Sequence, residues 1–258
     1  MIGLIGGSGL YNSHLLTDVE EVKAHTPYGS PSDLITIGRF QGKKIAFLPR
    51  HGKGHKVNPT NVNYHANIFA LKELGVKKII GVSAVGSLQE NIHPGDLVIP
   101  DQFIDFTKQR KLSFYEGNQV AHISMAEPFC TTLRSKLNAG LKELNISHHE
   151  KGTYICIEGP RFSTKAESQL FRSWNAHVIG MTLVPEVILA REAEMCYATI
   201  ALSTDYDSFK EVAVTAEEVI HTMKNNVQKA QQLLEKIIPE IDEKAHCNCH
   251  DALKSALM

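Results

Sequence analysis

Two carboxylates spaced two residues apart, Asp205 and Asp207, follow an apolar run from Cys196 to Leu202. On an extended chain residues i and i+2 share a face, so the pair can converge while Tyr206 points away. Such a pair suits a 6-aminopurine: an ionised carboxylate accepts from the exocyclic amine, and a protonated one donates to N7. Like charges held side by side favour keeping one proton between them, and the two groups titrate as a unit. A 6-oxopurine carries an acceptor in place of the amine and meets a carboxylate poorly. From the local sequence alone, two solvent-facing turn acids remain an equal reading.

Three other segments offer groups to an anion. Gly6-Gly7-Ser8-Gly9 follows the first apolar run and can present backbone N–H groups and a hydroxyl. It lacks the Gly-Lys-Ser/Thr of a P-loop, and Asn12 stands where a dinucleotide fingerprint needs its third glycine. Arg50-His51-Gly52 closes a second run, and Ser83-Ala84 lies just past a third, Lys78 to Val82. Open α/β sheets bind ligands beyond the carboxyl ends of their strands, so three such ends favour a free anion such as phosphate. Read singly, each is equally a turn or a solvated strand end. A fourth cluster, His246-Cys247-Asn248-Cys249-His250, sits near the C-terminus. Ligands crowded on one short run rarely enclose a tetrahedral ion and no second CxxC pair is present, so no metal is expected. A Cys-x-Cys redox pair and an inert tail both stay open.

The elements that position these groups read as alternating strands and helices. Strands are predicted at Ile2–Ile5, Leu34–Ile37, Lys44–Leu48, Lys78–Val82, Asp96–Pro100, Gly152–Ile157, His177–Ile179 and Cys196–Leu202. Helices are predicted at Thr60–Leu74, Glu127–Leu144, Glu167–Trp174 and Pro185–Glu194. A last long helix begins at Thr215, with Glu218 completing a capping box and an apolar face of Val219, Ile220, Met223, Val227, Ala230, Leu234 and Ile237. This alternation implies an α/β fold, a mixed but largely parallel sheet flanked by helices. No linker or repeat divides residues 1–258, so a single domain is expected, with a short polar tail from about residue 243.

Composition narrows the partners. With 27 Lys and Arg against 28 Asp and Glu, the formal net charge is −1, which argues against a nucleic-acid partner. No apolar run approaches a membrane span, so no membrane partner is expected. Met1-Ile2-Gly3-Leu4 carries no basic leader, and five cysteines are not a disulfide scaffold; a cytoplasmic protein is the expectation. The glycosylation pattern at Asn145-Ile146-Ser147 is then a chance match.

Several motifs occur together and in order: Gly6-Gly7-Ser8-Gly9, Pro49-Arg50-His51-Gly52, Pro94-Gly95-Asp96, Met125-Ala126-Glu127-Pro128-Phe129, Glu158-Gly159-Pro160-Arg161-Phe162, Met181-Thr182-Leu183-Val184-Pro185-Glu186 and Thr204-Asp205-Tyr206-Asp207. Over about Ile2 to Ile238 they resemble the trimeric nucleoside phosphorylases and, within them, the methylthioadenosine phosphorylases. The resemblance implies a homo-oligomer, a trimer or a dimer of trimers. It also implies phosphorolysis of 5′-methylthioadenosine to adenine and 5-methylthioribose 1-phosphate, without metal or organic cofactor because phosphate is a co-substrate.

Residue by residue, the resemblance gives a phosphate site of Ser8, Arg50, His51, Ser83, Ala84 and Thr182. Ser8 keeps the hydroxyl of the Thr common in animal relatives. Met181 would lie under the ribose, Phe162 would stack on base or sugar, and Ser163 would stand at the base edge. Asp205 and Asp207 would be the catalytic pair that reads adenine, Asp205 nearest N7. His122 would reach a neighbouring subunit's 5′ pocket. Ala216 stands where 6-oxopurine enzymes place a histidine for the 5′-hydroxyl, and with Val219 it would favour a methylthio group. Cys130 and Cys196 match positions that form a disulfide in some relatives, and Cys247-x-Cys249 resembles the tail of heat-adapted archaeal ones. Two alternatives stay in view: a purine nucleoside phosphorylase of broader or different specificity (adenosine, inosine or methylthioinosine), and a nucleoside- or phosphate-binding protein without catalysis.

Overall fold

The central apolar runs become parallel strands because their residues alternate between two buried faces. In β1 (Ile2–Gly6), Leu4 packs to one side of the sheet and Ile5 to the other; in β5 (Lys78–Ser87), Ile80 and Ile79 divide likewise. Burial on both faces is the signature of a parallel sheet covered by helices. A computed structural model describes residues 1–10, 16–210 and 216–258, without the side chains of Ser8 and of 216–219. Asn12, Thr215 and the side chains of Ser8, Ala216, Glu218 and Val219 therefore lie outside the described residues.

The sheet continues through β2 (Thr17–Val22), β3 (Ile35–Phe40), β4 (Lys43–Pro49), β6 (Leu97–Val98), β7 (Gln102–Phe106), β8 (His148–His149), β9 (Thr153–Ile157), β10 (Val178–Gly180) and β11 (Cys196–Tyr206). Its order is β2-β3-β4-β1-β5-β10-β9-β7, with β11 alongside β5 and leading on to β6 and β8. The pairings β1–β4, β1–β5 and β5–β11 are parallel, as are β9–β10, β7–β9 and β6–β8; β2–β3, β3–β4, β5–β10 and β6–β11 are antiparallel. Helices α1 (Tyr64–Glu73) and α4 (Glu186–Glu192) cover one face. Helices α2 (Thr131–Glu143) and α5 (Ala216–Ile237) cover the other. The fifth helix, α3 (Lys165–Ser173), packs Phe171 onto Ile155 and Ile179 beside β9 and β10. Among the described residues no helix is long and apolar enough to cross a membrane.

Several predicted boundaries move, each for a local reason. The helix expected from Thr60 begins at Tyr64. Pro59–Asn61 forms a separate 3-10 turn, Val62 is extended, and the Asn63 side chain caps the true start through Ala66 N–H. In α3 the cap is Thr164, in a capping box with Glu167, a signal the prediction from Glu167 overlooked. Strand β5 runs on past Val82 to Ser87, so Ser83 and Ala84 lie within the strand and not beyond it. On α5, Ile220 is 62% exposed and Leu233 is buried, so the apolar face is turned relative to the predicted one. The polar tail is docked: Cys249 and Ala256 are buried, and Leu257 bridges to Ala121.

Gly140 sits inside α2 where α5 crosses it. A Cβ there would meet Ile237 Cγ2 at 2.6 Å and Leu233 Cδ1 at 2.8 Å. Gly140→Ala gains about 1 kcal/mol of helix propensity but overpacks this crossing, which costs about 1–3 kcal/mol. A lower urea midpoint with unchanged m-value is the expected result; a raised midpoint would show the helices free to separate.

Candidate active site

Strands β4, β1, β5 and β11 run the same way, and their carboxyl ends open onto one cavity of about 560 Å³. At its floor lies Arg50, immediately after β4 and held by its N–H to Gly6 O at the end of β1. The guanidinium is buried against Glu186, the first residue of α4: Nε donates to Oε2 and Nη2 to Oε1, each at 2.7 Å. Nη1 donates to Val82 O at 2.8 Å and Nη2 also to Ile5 O at 3.3 Å. Four of the five N–H groups are thus committed, leaving one Nη1 hydrogen for a ligand. Tyr197 Oη, from β11, donates to Glu186 Oε1 at 2.7 Å; burial and that carboxylate push the Tyr197 hydroxyl well above its usual range.

His51 follows Arg50 and its Nδ1 lies 2.8 Å from Val57 O. A carbonyl only accepts, so Nδ1 carries the proton. Burial, and then the neighbouring Arg50 charge, lower the His51 pKa from 6.5 to about 4. At neutral pH this ring is therefore uncharged and its Nε2 is an acceptor. His51 can therefore receive a hydrogen bond, such as that of a hydrogen-phosphate hydroxyl, but supplies no charge. The loop after it is tight because Gly52 and Gly54 take φ of +71° and +77°, and it stacks His55 on His51 at 4.2 Å between centroids.

The same cavity carries the paired aspartates. Asp205 and Asp207 are both buried, and Tyr206 turns away so that its hydroxyl reaches His93 Nδ1. The Thr204 hydroxyl donates to Asp205 Oδ1 at 2.7 Å. Ser163 Oγ lies 2.6 Å from both Asp207 oxygens. Gly86, across on β5, makes room for the pair: a Cβ there would stand 3.0 Å from Asp205 Oδ2 and 3.4 Å from Asp207 Cβ.

Arg50, His51, Ser83, Ala84, Phe162, Ser163, Met181, Thr182, Asp205 and Asp207 all line this one cavity. Phe162 is 44% exposed and so stands outside the packed core. His122 does not line it: its side chain is exposed, and its N–H donates to Ala256 O. Ser8, Ala216 and Val219 lie outside the described side chains. Sequence reasoning placed none of Glu186, His55, Lys56, Gly86 and Met223 at the site, and all of them line the cavity or support it. For Glu186 a signal existed, an acid within the Met181–Glu186 motif at a helix start; for the others there was none.

The family model of the phosphorylase superfamily matches residues 1–239. The chain belongs to this superfamily. It is 59% identical to an S-methyl-5′-thioadenosine phosphorylase of Saccharolobus solfataricus, over all of this chain and 97% of the relative. To the S-methyl-5′-thioadenosine phosphorylase of Nitrosopumilus maritimus it is 53% identical, over 99% of this chain and 97% of the relative. Its fold is similar to the crystal structure of a methylthioadenosine phosphorylase from an antarctic soil metagenomic library, with TM-score 0.95 and 48% identity over all of this chain and 92% of that one. It is also similar to the methylthioadenosine phosphorylase of Schistosoma mansoni in complex with adenine, with TM-score 0.92 and 36% identity over 98% and 96% of the two chains.

Removing one partner of the Arg50–Glu186 pair leaves a buried charge alone. Arg50→Ala is expected to cost about 3–5 kcal/mol of stability. Arg50→Met combined with Glu186→Leu should recover most of it, less about 1–3 kcal/mol for the Tyr197 hydroxyl left without an acceptor. Urea unfolding of the three proteins checks this, and equal losses in the single and double variants would refute the coupling. His51 gives a second expectation. Between pH 6.5 and 4 the unfolded chain binds a proton at this residue that the folded chain refuses, so acidification through that window removes stability. His51→Asn, which can keep a donor to Val57 O, should flatten that part of the stability–pH curve.

Proposed function

We propose that this protein cleaves 5′-methylthioadenosine with inorganic phosphate, giving adenine and 5-methylthioribose 1-phosphate. One observation carries the reading: a single cavity is lined both by Arg50 with the Ser83 and Thr182 hydroxyls and by a buried aspartate pair. The names of the relatives point the same way. S-methyl-5′-thioadenosine phosphorylases share more than half of this sequence, and the Schistosoma protein was crystallised with adenine.

In this reading phosphate takes the remaining Arg50 N–H, the Ser83 and Thr182 hydroxyls and the amides after β1, with Ser8 and Ala84 beside it. His51 accepts from the phosphate hydroxyl. That contact orients the dianion without adding charge. Met181 and Phe162 hold ribose and base. As the glycosidic bond lengthens, the sugar becomes oxocarbenium-like and the purine gains negative charge. Asp205 gives a hydrogen bond or proton at N7, Asp207 accepts from N6, and Ser163 fixes the Asp207 carboxylate. Phosphate stabilises the cationic sugar and closes on its anomeric carbon. The nucleophile is the co-substrate itself, so the reaction calls for neither metal nor organic cofactor.

An apolar wall supports a methylthio group at the 5′ end. Met223 lines the cavity one helical turn beyond Val219, and with Ala216 and Val219 it would leave a 5′-hydroxyl without a partner. We further propose a cytoplasmic homotrimer or dimer of trimers, in which the exposed His122 completes a neighbour's 5′ pocket. In that assembly the exposed Ile220 would be covered.

Adenine release from methylthioadenosine should depend on phosphate and exceed base release from adenosine and methylthioinosine. In Asp207→Asn the ratio of kcat/KM for methylthioadenosine over methylthioinosine should fall at least tenfold, about 1.4 kcal/mol, because an amide can donate to O6. Release of adenine without phosphate would overturn the phosphorolytic reading. An unchanged ratio would remove Asp207 from base recognition.

A further inference from the structure

Far from the cavity, four cysteines that are remote in sequence come together. Cys130 is the N-cap of α2, Cys196 begins β11, and Cys247 and Cys249 lie on the 3-10 turn of the docked tail. Their four sulfur atoms all lie within 4.8 Å of one another, and three of the residues are buried. Cys130 Sγ is 3.8 Å from Cys247 Sγ, and Cys196 Sγ is 3.1 Å from it. These separations are too long for disulfide bonds, which need about 2.05 Å. The Cys130–Cys247 separation matches a tetrahedron of thiolates around a zinc ion, whose bonds of about 2.3 Å set sulfur atoms about 3.8 Å apart, and the Cys196–Cys247 pair would open by about 0.7 Å as the ion enters. No side chain caps α2 from Cys130, so its sulfur is free to face the cluster.

The surrounding charges supply a second, independent argument. Lys78 is 4% exposed, and its ammonium reaches Cys196 Sγ at 3.9 Å and Ala245 O at 3.2 Å. The half-buried Arg191 points Nη1 at Cys249 Sγ, 3.6 Å away, while its Nε is buried without an acceptor. Neither cation is ion-paired to a carboxylate among the described residues. Buried cations need an anion. Four neutral thiols or two disulfides offer none. Four thiolates around a divalent ion carry a charge of −2, which Lys78 and Arg191 together neutralise.

We propose that Cys130, Cys196, Cys247 and Cys249 bind one zinc ion as a structural four-thiolate centre that fastens the C-terminal segment to the sheet. The four thiols release their protons as the ion binds, and no redox step occurs. The Cys249 N–H to Cys247 Sγ contact at 3.4 Å and His250 Nε2, 3.6 Å from Cys196 Sγ, stand ready as outer-sphere donors to the sulfurs. The sequence argued against a metal because only two thiols lie on the tail. The fold supplies the other two from positions 51 and 117 residues away from Cys247.

The test is made on the full chain, purified without added metal or chelator. Elemental analysis should find about one zinc per chain, and denaturation in chelator should expose all five thiols. Chelator-stripped protein given cobalt(II) alone should develop thiolate-to-cobalt charge-transfer bands and the visible bands of a tetrahedral site. Cys249→Ser should lose at least tenfold in zinc retention against a competing chelator, and Lys78→Met should also weaken it. Cobalt is read on the unaltered chain, so an unstable variant does not remove the test. Metal-free protein with one titratable thiol would mean two disulfides and overturn the proposal. Metal-free protein with five thiols, or zinc retained in full by Cys249→Ser, would overturn it equally.

Discussion

The buried pair of Arg50 and Glu186 is the constraint from which the site is built. It ties the end of β4 to the start of α4, and its remaining bonds reach Ile5 O on β1, Val82 O on β5 and, through Tyr197, β11. Four parallel strands are thereby tied, directly or through Tyr197, to a single ion pair. Such a pair adds little net stability, because desolvating both charges offsets most of their attraction. What it provides is geometry. It also commits four of the five Arg50 N–H groups, so Arg50 offers a ligand one directed N–H.

The paired aspartates depend on the same sheet in a different way. The pairing of β11 with β5 shifts register between Ser203 and Asp205, so the bulge sets the direction in which the strand end presents the pair, which shares one face. Gly86 on the facing strand leaves the space they occupy. A side chain there would press on one carboxylate and on the stem of the other. Ser163 then reaches in from the loop before α3 to satisfy Asp207. Ser83 and Ala84 on β5 and Asp205 on β11 are thus held relative to one another by one parallel ladder.

Much of this was legible in the sequence, and the parts that were not share a cause. Runs such as Ile2–Ile5 and Cys196–Leu202 announced themselves because both faces are buried. Strand β2, Thr-Asp-Val-Glu-Glu-Val, did not, because it is an exposed edge strand whose charges read as a loop. Strand β7 was missed as well, its residues being mostly half-buried without clean alternation. At the site, the small and charged residues at strand ends could be singled out by type. Glu186 could not be assigned a role, because its function is defined by a partner 136 residues away. The cysteine cluster is the same case: nothing in the local sequence of Cys130 or Cys196 refers to the tail.

Strand β11 joins these two long-range assemblies. It begins at Cys196 and carries Asp205 near its other end, so at about 3.3 Å per residue the thiol cluster stands roughly 30 Å from the aspartates. A metal at that distance cannot take part in cleaving a glycosidic bond. It can hold the tail, and beyond the cluster the tail runs on to Ala256, Leu257 and Met258, which bond to Val120, Ala121 and His122. The segment bearing His122 is therefore pinned from the same anchor that closes the far end of β11. The cluster thus fixes the edge of the fold that bears His122, while Asp205 and the cavity it lines stand at the opposite end of the same strand.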